Sequence, residues 1–524
     1  MSQPGKTVDI LIIGAGPGGL QLARYLEDTG ADYHVLEAAA VPGAFFERFP
    51  RHRRLISINK CNVGSAPCNP LRYDWNSLLG EAESERFTHY TQRFFPDAEI
   101  LVRYLQDFAS RRKLKITYGA RCETLTRSGS RFEILTQDGA VWNAERVVIA
   151  TGLYRANTPK IPGIEHAELY TDYATDPARF RNARVLIIGK GNSAFETADS
   201  LNESAALVHV CSPNSLRFAW QTHFVGHLRA VNNNFLDTYQ LKAQNAVLDA
   251  NITAIRRVSG QYEVDLTYTH ANNHQVTYRY DHIIACTGFC FDSSMFAPAA
   301  KPALCHQDRL PAMTSRFEST NVPNLYFCGT LMQARDFKKT MSGFIHGFRC
   351  NIDFLARILT TTGDLAPHSR IAVTQAAAHA LKQLNHSDAL FLQPGYLTDA
   401  FVGDGRDGLL DFYPAIPLDH VREGKLASGP VHTVTLEYGP QAPDPFRIER
   451  DHAPSYAART PFLHPVIRRF ERGGHEIAKL DFMEELENRF DTRTYLPALQ
   501  AFLSEGLHGG ATTMTHSNIQ RRIG

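Results

Sequence analysis

The chain has 524 residues, 43% of them hydrophobic and 21% charged, with 55 basic against 54 acidic side chains. That length predicts about three domains. The composition is that of a folded protein and excludes a disordered one, and the even charge balance gives no basic excess for nucleic acid or an anionic membrane surface. The nine cysteines are scattered and include no Cys-x-x-Cys pair, so neither a disulfide framework nor a dithiol redox centre is indicated. Apolar runs such as Val185-Leu186-Ile187-Ile188 are far shorter than the ~20 residues of a membrane helix. A strand beginning near Thr7 leaves no room for a secretory signal, and the cytoplasm is the expected compartment.

The first unit reads strand, turn, helix, strand. The apolar run 8–13 enters Gly14-Ala15-Gly16-Pro17-Gly18-Gly19, a helical pattern follows through Leu20, Ala23 and Leu26, and Tyr33-His34-Val35-Leu36 ends at Glu37. This is the dinucleotide fingerprint in full context: one glycine for the tight turn, one for backbone approach to a pyrophosphate, one for helix–strand packing, and an acid for ribose hydroxyls. The phosphates would sit at the positive end of the helix.

The unit recurs at Val185-Leu186-Ile187-Ile188-Gly189-Lys190-Gly191-Asn192-Ser193-Ala194-Phe195-Glu196, with a helix at 197–201 and a strand at 206–210. Two nucleotides are therefore expected. Counted from the first glycine, the position of Glu37 in the first unit is Ser212 in the second. Without the acid, an adenosine 2′-phosphate is not repelled, and Ser212 and Arg217 can hold it; NADPH is expected here and FAD in the first, more complete unit.

Val147-Val148-Ile149-Ala150-Thr151-Gly152 and Ile283-Ile284-Ala285-Cys286-Thr287-Gly288 bracket the second unit. Each reads as a buried strand whose terminal glycine passes close to a cofactor. A third strand, 325–330, carries Gly329, and Gly343-Phe344-Ile345-His346-Gly347-Phe348-Arg349 leads into a helix whose start can aim N–H groups at the electron-rich edge of a flavin.

Two dinucleotide units, the second inserted into the first between Ala-Thr-Gly-type crossings, resemble the flavin-containing monooxygenase class. The segments 45–60, Asp74-Trp75-Asn76-Ser77-Leu78-Leu79, Gly191-Asn192-Ser193-Ala194-Phe195-Glu196 and 343–349 more closely resemble the FAD-dependent oxidoreductase domain-containing family. That family's best-known members reside in the lumen of the endoplasmic reticulum, whereas this chain ends Arg521-Arg522-Ile523-Gly524 without a retention tetrapeptide. The Phe-x-Gly-x-x-x-His signature of the monooxygenases is replaced by Ala167, Leu169 and Tyr173. Ile58-Asn59 falls where the monooxygenases carry a Thr-Asn pair, and the resemblance implies that Asn59 is the catalytic donor to a C4a-hydroperoxyflavin. Arg48, Arg51, Arg53 and Arg54 form a basic cluster available to cofactor phosphates or an acidic substrate, or to solvent. Arg72 to Asn76 either line a substrate pocket or form a structural loop over the flavin.

The expected fold is α/β: two Rossmann-like dinucleotide-binding domains, an FAD domain over 1–155 and 285–365 with an NADPH domain inserted at 156–284, and a C-terminal extension over 366–524. The extension reads as mixed helices and loops punctuated by Pro394-Gly395, Pro414, Pro417 and Pro440, a lid or a homodimer surface. FAD-side residues are Gly14, Gly16, Pro17, Gly18, Gly19, Glu37 and Arg48; NADPH-side residues are Gly189, Gly191, Asn192, Ser193, Ser212 and Arg217; Gly152, Gly288, Gly329, Gly343 and Phe344 complete the set. No metal is expected: His223 and His227 are spaced as on one helix face but lack a third ligand, and 404–408 reads as a turn. Residues 232–239 are expected to cover cofactor or substrate. The implied function is NADPH-dependent oxygenation of a small molecule, an amine or amino acid nitrogen, with dioxygen as co-substrate. The alternatives are an NADPH oxidase or electron-transfer reductase, and a flavin-bound redox-sensing protein.

Overall fold

The computed structural model describes residues 5–64, 69–241, 245–361, 363–426, 429–442, 444, 446–451 and 453–507; Cys68 and the end at 521–524 lie outside them. Strand β1 (Lys6–Ile13) buries its last four residues completely or nearly so, as a central parallel strand covered on both faces must. It delivers the chain to helix α1 (Pro17–Asp28), which opens with proline in its first turn, where no N–H is lost. Strand β2 (Tyr33–Leu36) returns parallel to β1. Helix α2 (Ala98–Arg111) leads to β3 (Ile116–Thr117), β4 (Cys122–Ser128), β5 (Arg131–Thr136) and β6 (Val141–Ile149). The sheet order is β3-β2-β1-β6-β5-β4. Strand β6 pairs parallel with β1 and, through its first half, antiparallel with β5.

The second sheet repeats the plan. Strand β7 (Glu168–Leu169), β8 (Arg184–Ile188), helix α3 (Asn192–Leu201), β9 (Leu207–Ser212), β10 (Ala246–Val258), β11 (Gln261–Tyr268), β12 (Gln275–Tyr280) and β13 (His282–Ala285) follow in the chain. They stand in the order β12-β11-β10-β9-β8-β13-β7. The chain then returns to the first sheet, where β14 (Leu325–Phe327) pairs parallel with the last residues of β6, and helix α4 (Ile345–Thr360) packs against α1.

Beyond residue 365 the chain forms β15 (Ser369–Ala372), helices α5 (Val373–His386) and α6 (Asp388–Leu392), then β16 (Leu397–Val402), β17 (Leu409–Pro417), β18 (Val431–Tyr438), β19 (Leu463–Phe470), β20 (Glu476–Asp481) and α7 (Thr492–Leu507). The strands make one antiparallel sheet in the order β15-β17-β16-β18-β19-β20. Mixed helices and loops were expected here, and the sheet is the correction. Both of its faces are covered: Val434, Leu436 and Ile467 pack under α5 and α7, while Ala400, Val402, Val431 and Phe470 join the same core as Ile10–Ile13 and α4. Buried polar side chains in these strands, Thr398, Asp399, His432, Thr433 and Thr435, interrupt the apolar runs by which a fully buried strand is recognised. Residues 232–237 pack against α3, where the Phe235 N–H bonds Asp199 and the Asn232 side chain donates to the Asn192 carbonyl at the start of the helix.

One close approach sets the joint between α1 and its sheet. A Cβ at Gly19 would lie 2.0 Å from the Gly14 carbonyl oxygen, so Gly19→Ala must push helix from strand. We expect a loss of about 3 kcal/mol and a lower Tm in thermal unfolding followed by circular dichroism; an unchanged Tm would contradict this packing.

Candidate functional site

The first glycine of each unit has a positive φ, 109° at Gly14 and 124° at Gly189, a conformation that glycine adopts without strain. Each turn releases a helix N-terminus, that of α1 or α3, toward a common cavity of about 510 Å³. Gly16, Pro17 and Gly18 bound it on one side and Asn192 and Ser193 on the other, with Thr151-Gly152, Gly329 and Gly343-Phe344 between. Aromatic side chains are numerous in the wall, Phe45, Phe49, Trp75, Phe224, Phe289 and Phe344 among them.

The residues present fit dinucleotides. A Cβ at Gly16 or at Gly191 would meet no atom within 4 Å, so each turn opens onto space that a side chain would fill. Glu37 accepts the Ala15 N–H at 2.6 Å and the Ala39 N–H at 2.8 Å, one on each carboxylate oxygen, which leaves each oxygen a lone pair for a ribose hydroxyl. Three atoms of wall residues, Thr151 Oγ1, His346 Nδ1 and Arg309 Nε, are buried without a hydrogen-bond partner among the described residues, and a polar ligand would satisfy them. Gly18 serves packing: its Cβ would lie 2.6 Å from the Gly329 Cα.

Charges in the cavity wall are shaped by burial. Burial pushes the Glu196 carboxyl up to about 7, and the Tyr170 hydroxyl donates to it. Burial, with Arg349 and Arg229 nearby, pushes His346 down to about 3, so its ring is neutral. That ring stacks on Trp75 at 4.6 Å and on Phe344 at 5.8 Å, and the Arg229 guanidinium covers the Trp75 ring at 5.2 Å.

At the far end of the second unit, Ser212 and Arg217 lie away from the cavity wall, with Arg217 exposed and in no ion pair among the described residues. The sequence reading missed Asp249, which stands opposite Ser212 in the β9–β10 register. Lys190 Nζ pairs with Asp249 and donates to the Ser212 and Asn214 carbonyls, both at 3.1 Å, so this acid is already neutralised. Its position depends on strand pairing, which spacing from the glycines does not show.

Several expected roles fall elsewhere. Asn59 is buried but absent from the cavity wall, where Ile56 and Ser57 stand instead. A bridge to Asp74 and a bond from its N–H to Phe94 O fix its backbone, and its amide donates to Thr91 O at 2.6 Å. Arg48 binds Thr171 O and Asp172 at 2.8 Å, Arg51 binds Tyr173 O at 2.6 Å, and Arg53 binds Glu99 at 2.6 Å; this cluster joins protein segments and does not reach the phosphate turn. Gly288 also lies outside the wall. His223 follows a four-residue helix, Ala219–Thr222, with a left-handed φ of 57°, so His223 and His227 share no helix face, and among the described residues no group of three His, Cys, Asp or Glu side chains is placed for a metal. Arg72 is bonded to carbonyls of the extension, and Trp75 alone of its segment lines the cavity. No helix of the described residues is long and apolar enough to cross a membrane.

Over residues 11–329 the chain matches the family model described as pyridine nucleotide-disulphide oxidoreductase. It is 33% identical over 501 residues to FAD-dependent oxidoreductase domain-containing protein 2 of Mus musculus, which covers 88% of this chain and 75% of that protein. It is 25% identical over 358 residues to senecionine N-oxygenase of Tyria jacobaeae, covering 63% of this chain and 68% of that protein. Among solved structures, a flavin monooxygenase from Stenotrophomonas maltophilia superposes with a TM-score of 0.53 at 21% identity, over 68% of this chain and 98% of that one.

Because the space above Gly16 is open, Gly16→Val should leave the fold intact while obstructing the pyrophosphate. The expected outcome is a colourless protein with wild-type far-ultraviolet circular dichroism; full flavin occupancy by absorbance would refute the assignment. Glu196 yields a pH prediction. Its carboxyl binds protons more tightly folded, at about 7, than at the ordinary 4.5, so stability falls as pH rises through that window. Glu196→Gln removes the penalty and should gain up to ~3 kcal/mol at pH 8, a gain that vanishes near pH 4 in denaturant titrations.

Proposed function

The chain belongs to the FAD-dependent oxidoreductase family, and from that membership we propose that it is an NADPH-dependent monooxygenase that oxygenates a small molecule at an amine nitrogen. The observation that carries this reading is one cavity, rich in aromatic side chains, bounded by the first glycine turn at Gly16–Gly18 and by the first residues of α3, Asn192 and Ser193. Similarity to senecionine N-oxygenase supports the nitrogen as acceptor. FAD, when bound, would accept hydride from NADPH and activate dioxygen. Gly16 and Glu37 would hold FAD; Gly191, Asn192 and Ser193, with Ser212 and Arg217 at the adenosine end, would hold NADPH. Phe45, Phe49, Phe224 and Phe289 exclude water, which strengthens every polar contact inside. Glu196 keeps a proton at its carboxyl below about pH 7, against the Tyr170 hydroxyl and within the cavity wall.

A second reading, an NADPH oxidase, is favoured by the Asn59 amide, which is spent on Thr91 O and not on the cavity. The test is anaerobic reduction by NADPH or NADH, then mixing with oxygen, with product and peroxide quantified. NADPH should reduce the flavin faster than NADH. Arg217→Ala should lower NADPH efficiency roughly ten- to a hundredfold, as expected for one charge-assisted phosphate contact, with NADH unaffected. Equal use of both nucleotides would refute the NADPH assignment. Conversion of all NADPH to peroxide with every amine, sulfide and ketone offered would establish the oxidase.

A further inference from the structure

Gln393 follows α6 in the C-terminal extension and spends its whole amide on the FAD domain. Its Oε1 accepts the Met341 N–H at 2.8 Å, and its Nε2 donates to Ser342 Oγ at 2.8 Å and Asn351 Oδ1 at 3.0 Å. Asn351, on α4, donates to the same Ser342 Oγ at 2.8 Å. All three side chains are completely buried. Three of these hydrogen bonds hold residues 341–342, and the fourth ties Gln393 to Asn351; the held pair stands directly before Gly343, Phe344, Ile345 and His346, which line the cavity.

That segment has no slack. A Cβ at Gly347, in the first turn of α4, would lie 1.9 Å from the Met341 carbonyl oxygen, and Thr330 holds the Gly343 carbonyl at 2.6 Å. The extension also grips the neighbouring wall. Arg72 donates to Leu384 O at 2.6 Å and Ser387 O at 3.2 Å, and Asn69 to His386 O at 2.8 Å, carbonyls at the C-terminal end of α5 that a helix leaves unpaired. From the other side, Arg349 of α4 donates to Ser77 O at 2.6 Å and Leu71 O at 2.8 Å. Trp75 lies within this clamped loop and stacks on His346.

We propose that Gln393 is a positioning residue for the flavin: through Met341, Ser342 and Asn351 it fixes the start of α4, so that the extension sets how firmly the cofactor is held and at what potential it works. This rests on the reading that FAD occupies the first glycine turn. The N-terminus of α4 carries the positive end of its dipole, and its influence on a nearby charge falls steeply with distance and orientation. A loosened start of α4 weakens the site's preference for added negative charge, so the potential of the bound flavin moves down.

The test uses the full chain with its own bound flavin. Gln393→Met keeps the length of the side chain and removes every hydrogen bond, leaving the Met341 N–H and Asn351 Oδ1 unpaired in the interior. The expected result is FAD binding weakened about tenfold or more, by flavin fluorescence on dilution, with a more negative midpoint potential by dye equilibration and shifted flavin absorption bands, at unchanged far-ultraviolet circular dichroism. A folded Gln393→Met protein that binds FAD within about twofold of wild type at an unchanged potential overturns the proposal. If Gln393→Met fails to fold, Ser342→Ala, which removes the oxygen shared by Gln393 and Asn351, decides on the same readouts. Wild-type protein without flavin would overturn the reading beneath this one, and this one with it.

Discussion

The arrangement depends on a peptide carbonyl packed against a glycine Cα, a contact made once in each nucleotide unit. A side chain at Gly14 would place its Cβ 2.7 Å from Ala150 O, and one at Gly189 would place it 2.2 Å from Cys286 O. Those carbonyls belong to the residues that follow β6 and β13, where the chain crosses between units, and their own N–H groups bond Ile13 O and Ile188 O, both at 2.8 Å. Each crossing is thereby pinned at the mouth of a glycine turn. Thr151 and Gly152, which come next after the first crossing, have nowhere to go but the cavity wall. The shared cavity follows from backbone geometry before any side chain is considered.

Side chains then decide what that cavity is like. The arginines after β2 hold the units to one another, through Arg48 to Asp172 and Arg51 to Tyr173 O, and leave the interior to aromatic rings. In such surroundings an ionised carboxylate is costly, which is why Glu196 holds its proton up to about 7 and why His346 is neutral. Arg309, half-buried in the wall, acts at a lower dielectric than a surface charge and counts for more than one.

Both nucleotide units were legible in the sequence because their chemistry is local: a strand, a glycine turn and a helix lie within one short stretch, and Gly14, Gly16, Gly19 and Glu37 all stand where that pattern puts them. Features that depend on pairing between distant strands were not legible. Asp249 reaches Lys190 only because β9 and β10 pair in one register. Asn59 matched a motif by its neighbours in the chain, but the bridge to Asp74 commits its amide to Thr91. The sheet of the extension went unread because Leu397–Val402 and most of Val431–Tyr438 are buried while carrying polar side chains, Thr398, Asp399, His432, Thr433 and Thr435, which break the apolar run expected of a buried strand. Gly395, Pro417 and Pro440 stand at or beside the ends of strands, and Pro414 lies within β17.

The extension's inner strands share a core with the very first strand of the chain. Val431 and Phe470 lie in one apolar cluster with Ile10, Leu11 and Ile12, so the N-terminal unit lacks part of its interior until residue 470 is in place. During synthesis, which adds residues from the N-terminus at roughly 5–20 per second, that surface is bare for the whole time the second unit and the extension are being made. The second unit, whose principal clusters draw mostly on residues 161–289, is free to close first. The core of the inserted unit is thus synthesised in full before that of the unit that begins the polypeptide, whose interior is complete only with the extension.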